Sequence, residues 1–306
     1  MSELRQTVSE YLQIRRSLGF KLEREGRLLP DFVSFLEQQN AVHVTAALAL
    51  QWATAPSNTT ICWWNARLTI VRQFSRFARA IDSGHEVPVS NLLPQHKSKK
   101  LMPYVYSDKD VQCLMCQAER LCGLKAKTYA TLIGLLYTTG MRIGEAIRLN
   151  CSDINWPQGV LTIRHAKFNK SRQLPLHPST TAALRQYADV RDSSVCPQGP
   201  GFLLSLAGTR LHYKNVHEAF LRLVQDTYLN NQWPHRPRIH DFRHTFAIKT
   251  LTRWYQDGLH IDPLLPTLST YLGHVSPSST YWYLSATSEL MDQAAQRLDQ
   301  ALGVLP

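Results

Sequence analysis

The sequence predicts a mainly α protein with a small β-hairpin, an α+β fold in two domains. Three observations predict it. Apolar residues recur at helical spacing through residues 1–95, a lysine- and proline-bearing break follows, and strand patterning enters after Gly159. A chain of 306 residues has the length for two domains of roughly 100–200 residues each. Its 44% hydrophobic and 19% charged residues suit a globular protein and are too apolar for a disordered one.

The elements follow in order. Leu4, Val8, Tyr11, Leu12 and Leu18 are spaced for one face of a helix over 3–18, with Gly19 as its stop. Leu29, Phe32, Val33 and Leu36 share a face of a second helix, with Pro30 placed in its first turn. Thr45 caps a short third helix through Trp52, and the turn at 56–58 leads into a fourth over about 60–82. In that fourth helix Ile70, Phe74, Phe77 and Ile81 form the apolar stripe. Arg72, Arg76 and Arg79 lie on another face with no acid among them until Asp82. Such a face is either a solvated surface or a contact for a phosphate backbone. Trp63 and Trp64, beside Ile61 and Leu68, read as core aromatics in preference to base-stacking ones.

Residues 83–103 carry Gly84, Pro88, Pro94 and Pro103 and the cluster from His96 to Lys100, with little apolar periodicity. They read as an interdomain connection. The domains are therefore 1–95, a basic linker at 96–104, and 105–306. Helix signals resume at 107–110, over 128–136 and over 140–149. Val160–Arg164 and Arg172–Leu176 then flank a polar segment as a β-hairpin, with Lys167 and Lys170 at or near its tip and Pro175 marking an edge strand. From about 179 the helical pattern returns, interrupted at 192–201 and at 233–237.

Charge narrows the partner. The formal charge of +11 and pI near 9.5 point to a polyanion, though not to which one. There are 13 bases and 8 acids up to residue 100, and 21 and 15 beyond it, so both halves are basic. That distribution suits a protein that holds its partner from two sides. No apolar run approaches the roughly 20 residues of a membrane helix, and the polar start lacks a signal-peptide pattern, so the expected location is the cytoplasm. Six scattered cysteines give no disulfide framework. The single C-x-x-C at Cys113 and Cys116 is too weak a match to assign zinc or redox chemistry.

Four places collect groups suited to a phosphodiester: Arg142 after Thr138-Thr139-Gly140, Lys167 in the hairpin, His240-Asp241-Phe242-Arg243-His244, and Leu272-Gly273-His274 followed by Tyr281-Trp282-Tyr283. His240 and Arg243 are three apart and share a helical face. Arginines neutralise non-bridging oxygens, a lysine protonates a leaving oxygen and a tyrosine attacks, with no metal or other cofactor required. His240 and His244 mimic a zinc-protease pair, but Asp241 stands where that motif needs Glu and Arg243 would sit beside the metal. His244 is better read as a packing residue or one that supports the others. Tyr271 and Tyr281 are rival nucleophiles to Tyr283.

T-G-M-R-I-G-E, the hairpin lysine, H-D-F-R-H, L-G-H and a tyrosine nine residues after that histidine, in this order, resemble the tyrosine recombinase (phage integrase) family. The helical front resembles that family's core-binding domain, so the resemblance covers the whole chain. It implies Arg142, Lys167, His240, Arg243, His274 and Tyr283 as the catalytic set, with Lys170 competing with Lys167 and Glu145 orienting its helix. It implies attack by Tyr283 on duplex DNA to give a 3′-phosphotyrosine and a free 5′-hydroxyl, then strand exchange without ATP. Arg72, Arg76, Arg79, Lys97, Lys99, Lys100 and Lys170 are the expected DNA contacts.

Two departures stand out. The segment between Arg243 and His274 is longer than usual and holds an extra turn or loop around Pro263 and Pro266, and the front lacks room for an arm-binding domain. The latter favours a mobile-element recombinase in a bacterial cytoplasm, associated with the nucleoid when bound, acting in integration, excision or transposition. The expected assembly is a tetramer on synapsed sites, with accessory or sister recombinases as further partners. Leu290, Ala294, Leu298 and Leu302 form a terminal helical face that docks either in cis or on a neighbour. Two other functions remain open: an inactive DNA-binding regulator, and a type IB topoisomerase-like relaxer.

Overall fold

The computed structural model describes residues 2–94, 102–164, 171–230, 236–274, 276–285, 291–292 and 295–296. The chain divides into two units, Met1–Leu101 and Met102–Pro306.

Among the described residues the first unit is four helices: α1 (Glu3–Ser17), α2 (Glu25–Gln38), α3 (Ala46–Thr54) and α4 (Ile61–Ile81). The residues expected to face inward on α1 and α2 do so, with Leu18 exposed beyond the end of α1. Thr45 and Thr60 cap α3 and α4 by accepting from the backbone N–H groups of Leu48 and Trp63. The structure corrects the placement of Pro30. Helix α2 starts at Glu25, so Pro30 lies inside it, where the missing N–H leaves the Gly26 carbonyl without its usual partner. The stripe on α4 also ends sooner than expected: Phe74 is fully buried, Phe77 half-buried, and Ile81 is 62% exposed because the helix stops there. Trp63 and Trp64 are half-buried, and the Trp64 indole donates to the Pro56 carbonyl at 3.0 Å.

The largest correction to this unit concerns the connection. Residues 84–94 fold back on the helices. The backbone N–H of Glu86 donates to the Val44 carbonyl at 2.8 Å, the buried His85 accepts from the Val44 N–H through Nδ1 at 3.0 Å, and Leu92 and Leu93 pack on the core. Proline and polarity there mark irregular backbone with satisfied hydrogen bonds, not a free linker.

In the second unit, α5 (Asp108–Glu119) begins with a capping box formed by Ser107 and Asp110. Helix α6 (Leu124–Thr139) buries residues around most of its circumference, which makes it the central helix. It ends on Gly140, whose φ of +60° turns the chain out of the helix. The helix expected over 140–149 is therefore shorter, α7 (Ile143–Arg148), with Arg142 as its N-cap.

The predicted hairpin is present as β2 (Val160–Ile163) and β3 (Arg172–Pro175), antiparallel with Val160 opposite Pro175. A two-residue strand, β1 (Ile154–Asn155), adds to its other side, leaving β3 at the edge as Pro175 requires. Helix α8 (Pro178–Ser194) follows. The chain does not return to helix at 202: Phe202, Leu203 and Leu204 enter the core as irregular backbone before α9 (Tyr213–Gln225). Then come α10 (Asp241–Gln256), α11 (Leu265–Leu272) and the short α12 (Ser278–Tyr281). Among the described residues no helix is long and apolar enough to cross a membrane.

Candidate active site

Two helix ends supply the frame. The Gly140 turn after α6 and the Gly273 turn after α11 both present carbonyl oxygens that no further helical turn uses. Arg243, in the first turn of α10, donates Nη1 to the Gly140 carbonyl at 3.0 Å and Nη2 to the Leu272 carbonyl at 2.6 Å. Arg142 donates Nη2 to the Gly273 carbonyl at 2.8 Å. The two motif arginines, 101 residues apart in sequence, are thus fixed by backbone on both sides of one space.

Glu145 sits beneath them. It is 4% exposed and accepts from the Arg142 backbone N–H at 2.9 Å, from Arg142 Nη1 at 2.9 Å, and from Arg172 Nη1 and Nη2 at 3.1 and 2.8 Å. Burial alone would raise its pKa. The Arg172 hydrogen bonds and charge, with Arg142 adding, outweigh burial and hold the carboxyl at about 2. Arg172 is the residue that sequence reasoning missed. It lies on β3 and also donates Nε to the Tyr271 carbonyl at 2.7 Å, so it ties the hairpin, Glu145 and the end of α11 together.

Arg243 is 2% exposed. Burial, then the neighbouring Arg142 charge, lower its pKa to about 10. His240 stands at the N-cap position of α10 and is solvent-exposed. The protein packed around its ring nevertheless disfavours the charged form, and Arg243 adds to the effect, so its pKa is lowered. His274 shares Nδ1 with the Thr280 hydroxyl at 2.7 Å, and burial followed by Arg243 and Arg142 pushes it down to about 4. Both imidazoles are neutral near pH 7.

Tyr283 is the tyrosine this frame encloses. It is 2% exposed, its ring stacks on His274 with centroids 6.2 Å apart, and its hydroxyl contacts Arg243 and lies 3.1 Å from His244 Nδ1. Burial raises its pKa and Arg243 opposes, so it stands as the neutral phenol. The rivals are placed otherwise: Tyr281 is half exposed, and Tyr271 stacks on Phe246 at 5.3 Å. The segment between Arg243 and His274 contains the turn at Gly258 and the start of α11, with Pro266 in its first turn.

Lys167, Lys170, Lys97, Lys99, Lys100 and the terminal face through Leu302 lie outside the described residues. On α4, Arg76 and Arg79 are exposed. Arg72 departs from the expected solvent face: its guanidinium donates to the carbonyls of Pro88 and Val89 at 2.7 and 3.0 Å. Cys113 and Cys116 are free on α5, and among the described residues no group of three or more His, Cys, Asp or Glu is placed to hold a metal.

An enclosed tyrosine beside two backbone-fixed arginines and two neutral histidines brings together the groups that tyrosine-type phosphoryl transfer requires. The chain belongs to the phage integrase family, whose model matches residues 105–289. It is 43% identical over 309 residues to the putative integrase/recombinase y4rB of Sinorhizobium fredii, covering 98% of each chain. It is 25% identical over 229 residues to tyrosine recombinase XerC of Chlamydia caviae, covering 74% of this chain and 68% of that one. Among solved structures, the fold is similar to that of the Tn1549 transposon integrase in complex with transposon right end DNA. That match has a TM-score of 0.66 and 17% identity, covering 96% of this chain and 98% of the other.

Proposed function

We propose that this site-specific recombinase cleaves and rejoins duplex DNA of a mobile element through Tyr283. The observation that carries the reading is Arg243, a buried guanidinium bonded to two carbonyls and to no carboxylate among the described residues. A buried charge without a counter-ion is costly. Around it, among the described residues, Arg142 and Arg172 share one carboxylate, Glu145, which leaves three guanidinium groups against one negative charge, while Asp241 is taken up by Arg238. The local excess of two positive charges matches the two negative charges of a pentacovalent phosphorane better than the one of a phosphodiester, which is what transition-state stabilisation requires.

In this reading Arg142 and Arg243 neutralise the non-bridging oxygens. His274, with Nδ1 engaged by Thr280, donates Nε2–H to the phosphate, and His240 donates from the opposite end of the site. The Tyr283 oxygen bonds to phosphorus, the P–O5′ bond breaks, and Lys167 or Lys170 supplies the proton to the 5′ oxygen. Attack by a 5′-hydroxyl of a partner strand reverses these steps. Arg76, Arg79 and the 97–100 lysines hold the backbone on either side, and four copies act on two synapsed sites, with accessory or sister recombinases where the element provides them.

The test is a nicked duplex taken from genomic fragments that the protein retains, with products resolved on a denaturing gel. A covalent protein–DNA complex and sequenced exchange junctions are expected. Binding without any complex would make the protein a regulator, and a complex with concentration-independent relaxation of arbitrary plasmids would make it a relaxer.

A further inference from the structure

The phenol of Tyr283 is neutral, so its proton must leave as the oxygen bonds to phosphorus, and none of the roles above removes it. Among the described residues the hydroxyl has two polar neighbours: Arg243 and, at 3.1 Å, Nδ1 of His244. Arginine only donates. Toward Arg243 the phenolic oxygen can only accept, which leaves its own O–H to donate. Donation to His244 Nδ1 requires the imidazole tautomer with that nitrogen bare and the proton on Nε2. The ring is held there by edge contacts with His240 at 4.7 Å and Trp282 at 5.5 Å.

From this geometry we infer that His244 is the proton acceptor for the Tyr283 nucleophile. The inference rests on Tyr283 being the nucleophile. In the forward step the Tyr283 O–H proton passes to His244 Nδ1, the phenolic oxygen forms its bond to phosphorus, and the P–O5′ bond breaks with the leaving oxygen protonated by the hairpin lysine. In the reverse step the imidazolium returns the proton to the phenol. Among the described residues the titratable and charged groups facing His244 are His240 and Arg243 from α10, Arg238 from the preceding turn, and His274 from the turn after α11. Burial first, then these, push it down to about 3, so in the absence of DNA the ring is neutral and its lone pair is available. A phosphodiester between Arg142 and Arg243 cancels part of that cationic field, and His244 becomes more basic as negative charge builds on phosphorus.

Two measurements on the full chain decide the matter. In ¹⁵N-histidine spectra of the DNA-free protein, His244 should show an unprotonated Nδ1 and a protonated Nε2; a protonated Nδ1 overturns the inference without touching the role of Tyr283. In single-turnover cleavage of a retained duplex carrying a 5′-bridging phosphorothiolate, which removes the need for the lysine, His244→Gln should slow adduct formation by at least about 100-fold while DNA affinity changes by less than about threefold. Glutamine keeps a hydrogen-bond acceptor but takes no proton, so a variant within about tenfold of wild type makes His244 a positioning residue and overturns the acceptor role. If the wild-type adduct forms on a residue other than Tyr283, the nucleophile assignment and the inference fail together.

Discussion

Replacing Glu145 by Gln removes one negative charge from beneath three guanidinium groups while keeping the side-chain shape. The amide turns an N–H₂ toward a guanidinium that already donates, so at least one Arg142 or Arg172 hydrogen bond becomes a donor–donor contact. The carboxyl stands at about 2 against an ordinary value of 4.5, and at 1.36 kcal/mol per unit this linkage is worth about 3 kcal/mol. Breaking a buried pair by removing one partner falls in the same range, about 3–5 kcal/mol. The folded-state pKa is below the unfolded one, so the stabilisation is complete above pH 4.5 and is lost as pH falls toward about 2. Urea unfolding of both proteins across that range is the assay. Glu145→Gln should be less stable by about 3 kcal/mol at neutral pH, with the gap closing as the wild-type carboxyl takes up its proton. A deficit below about 1 kcal/mol, or one that does not shrink in acid, would refute the reasoning.

Three further outcomes are expected. Arg172→Lys cannot span the Tyr271 carbonyl and both Glu145 oxygens, so it should cost about 2 kcal/mol in urea unfolding and slow cleavage more than it weakens DNA binding. Gly140→Ala forces a side chain onto φ +60° with its Cβ 2.6 Å from Phe246 Cδ1; a loss of about 1–3 kcal/mol in thermal unfolding should accompany reduced cleavage, because the Gly140 carbonyl holds Arg243. Replacing Arg76 and Arg79 together by Ala should flatten the slope of log K against log salt by about 1.8, at 0.9 per phosphate contact. Arg72→Ala should instead loosen residues 88–89, seen as faster amide exchange there.

The short motifs made much of the site legible. The residues Arg142, His240, Arg243, His274 and Tyr283 sit in local patterns whose spacing survives folding, and the structure gathers them round one space. Arg172 was invisible because its partners, Glu145 and Tyr271, lie 27 and 99 residues away, and nothing local distinguishes a buried bridging arginine on a strand from an exposed one. His244 reads only as a packing or supporting residue for the same reason: its contact with Tyr283 spans 39 residues. In the fold, helical periodicity found the main elements, while residues 84–94 misled because proline and polarity mark the lack of regular structure and not the lack of packing. Pro30 misled in the opposite sense, since α2 tolerates it beyond the first turn.

The central claim is that Tyr283 becomes covalently joined to DNA. The direct measurement is mass spectrometry of peptides from protein trapped on a nicked duplex. The account predicts a nucleotide adduct on the peptide carrying Tyr283, absent from Tyr283→Phe. An adduct that persists in that variant, or that maps to Tyr281 or Tyr271, would contradict it.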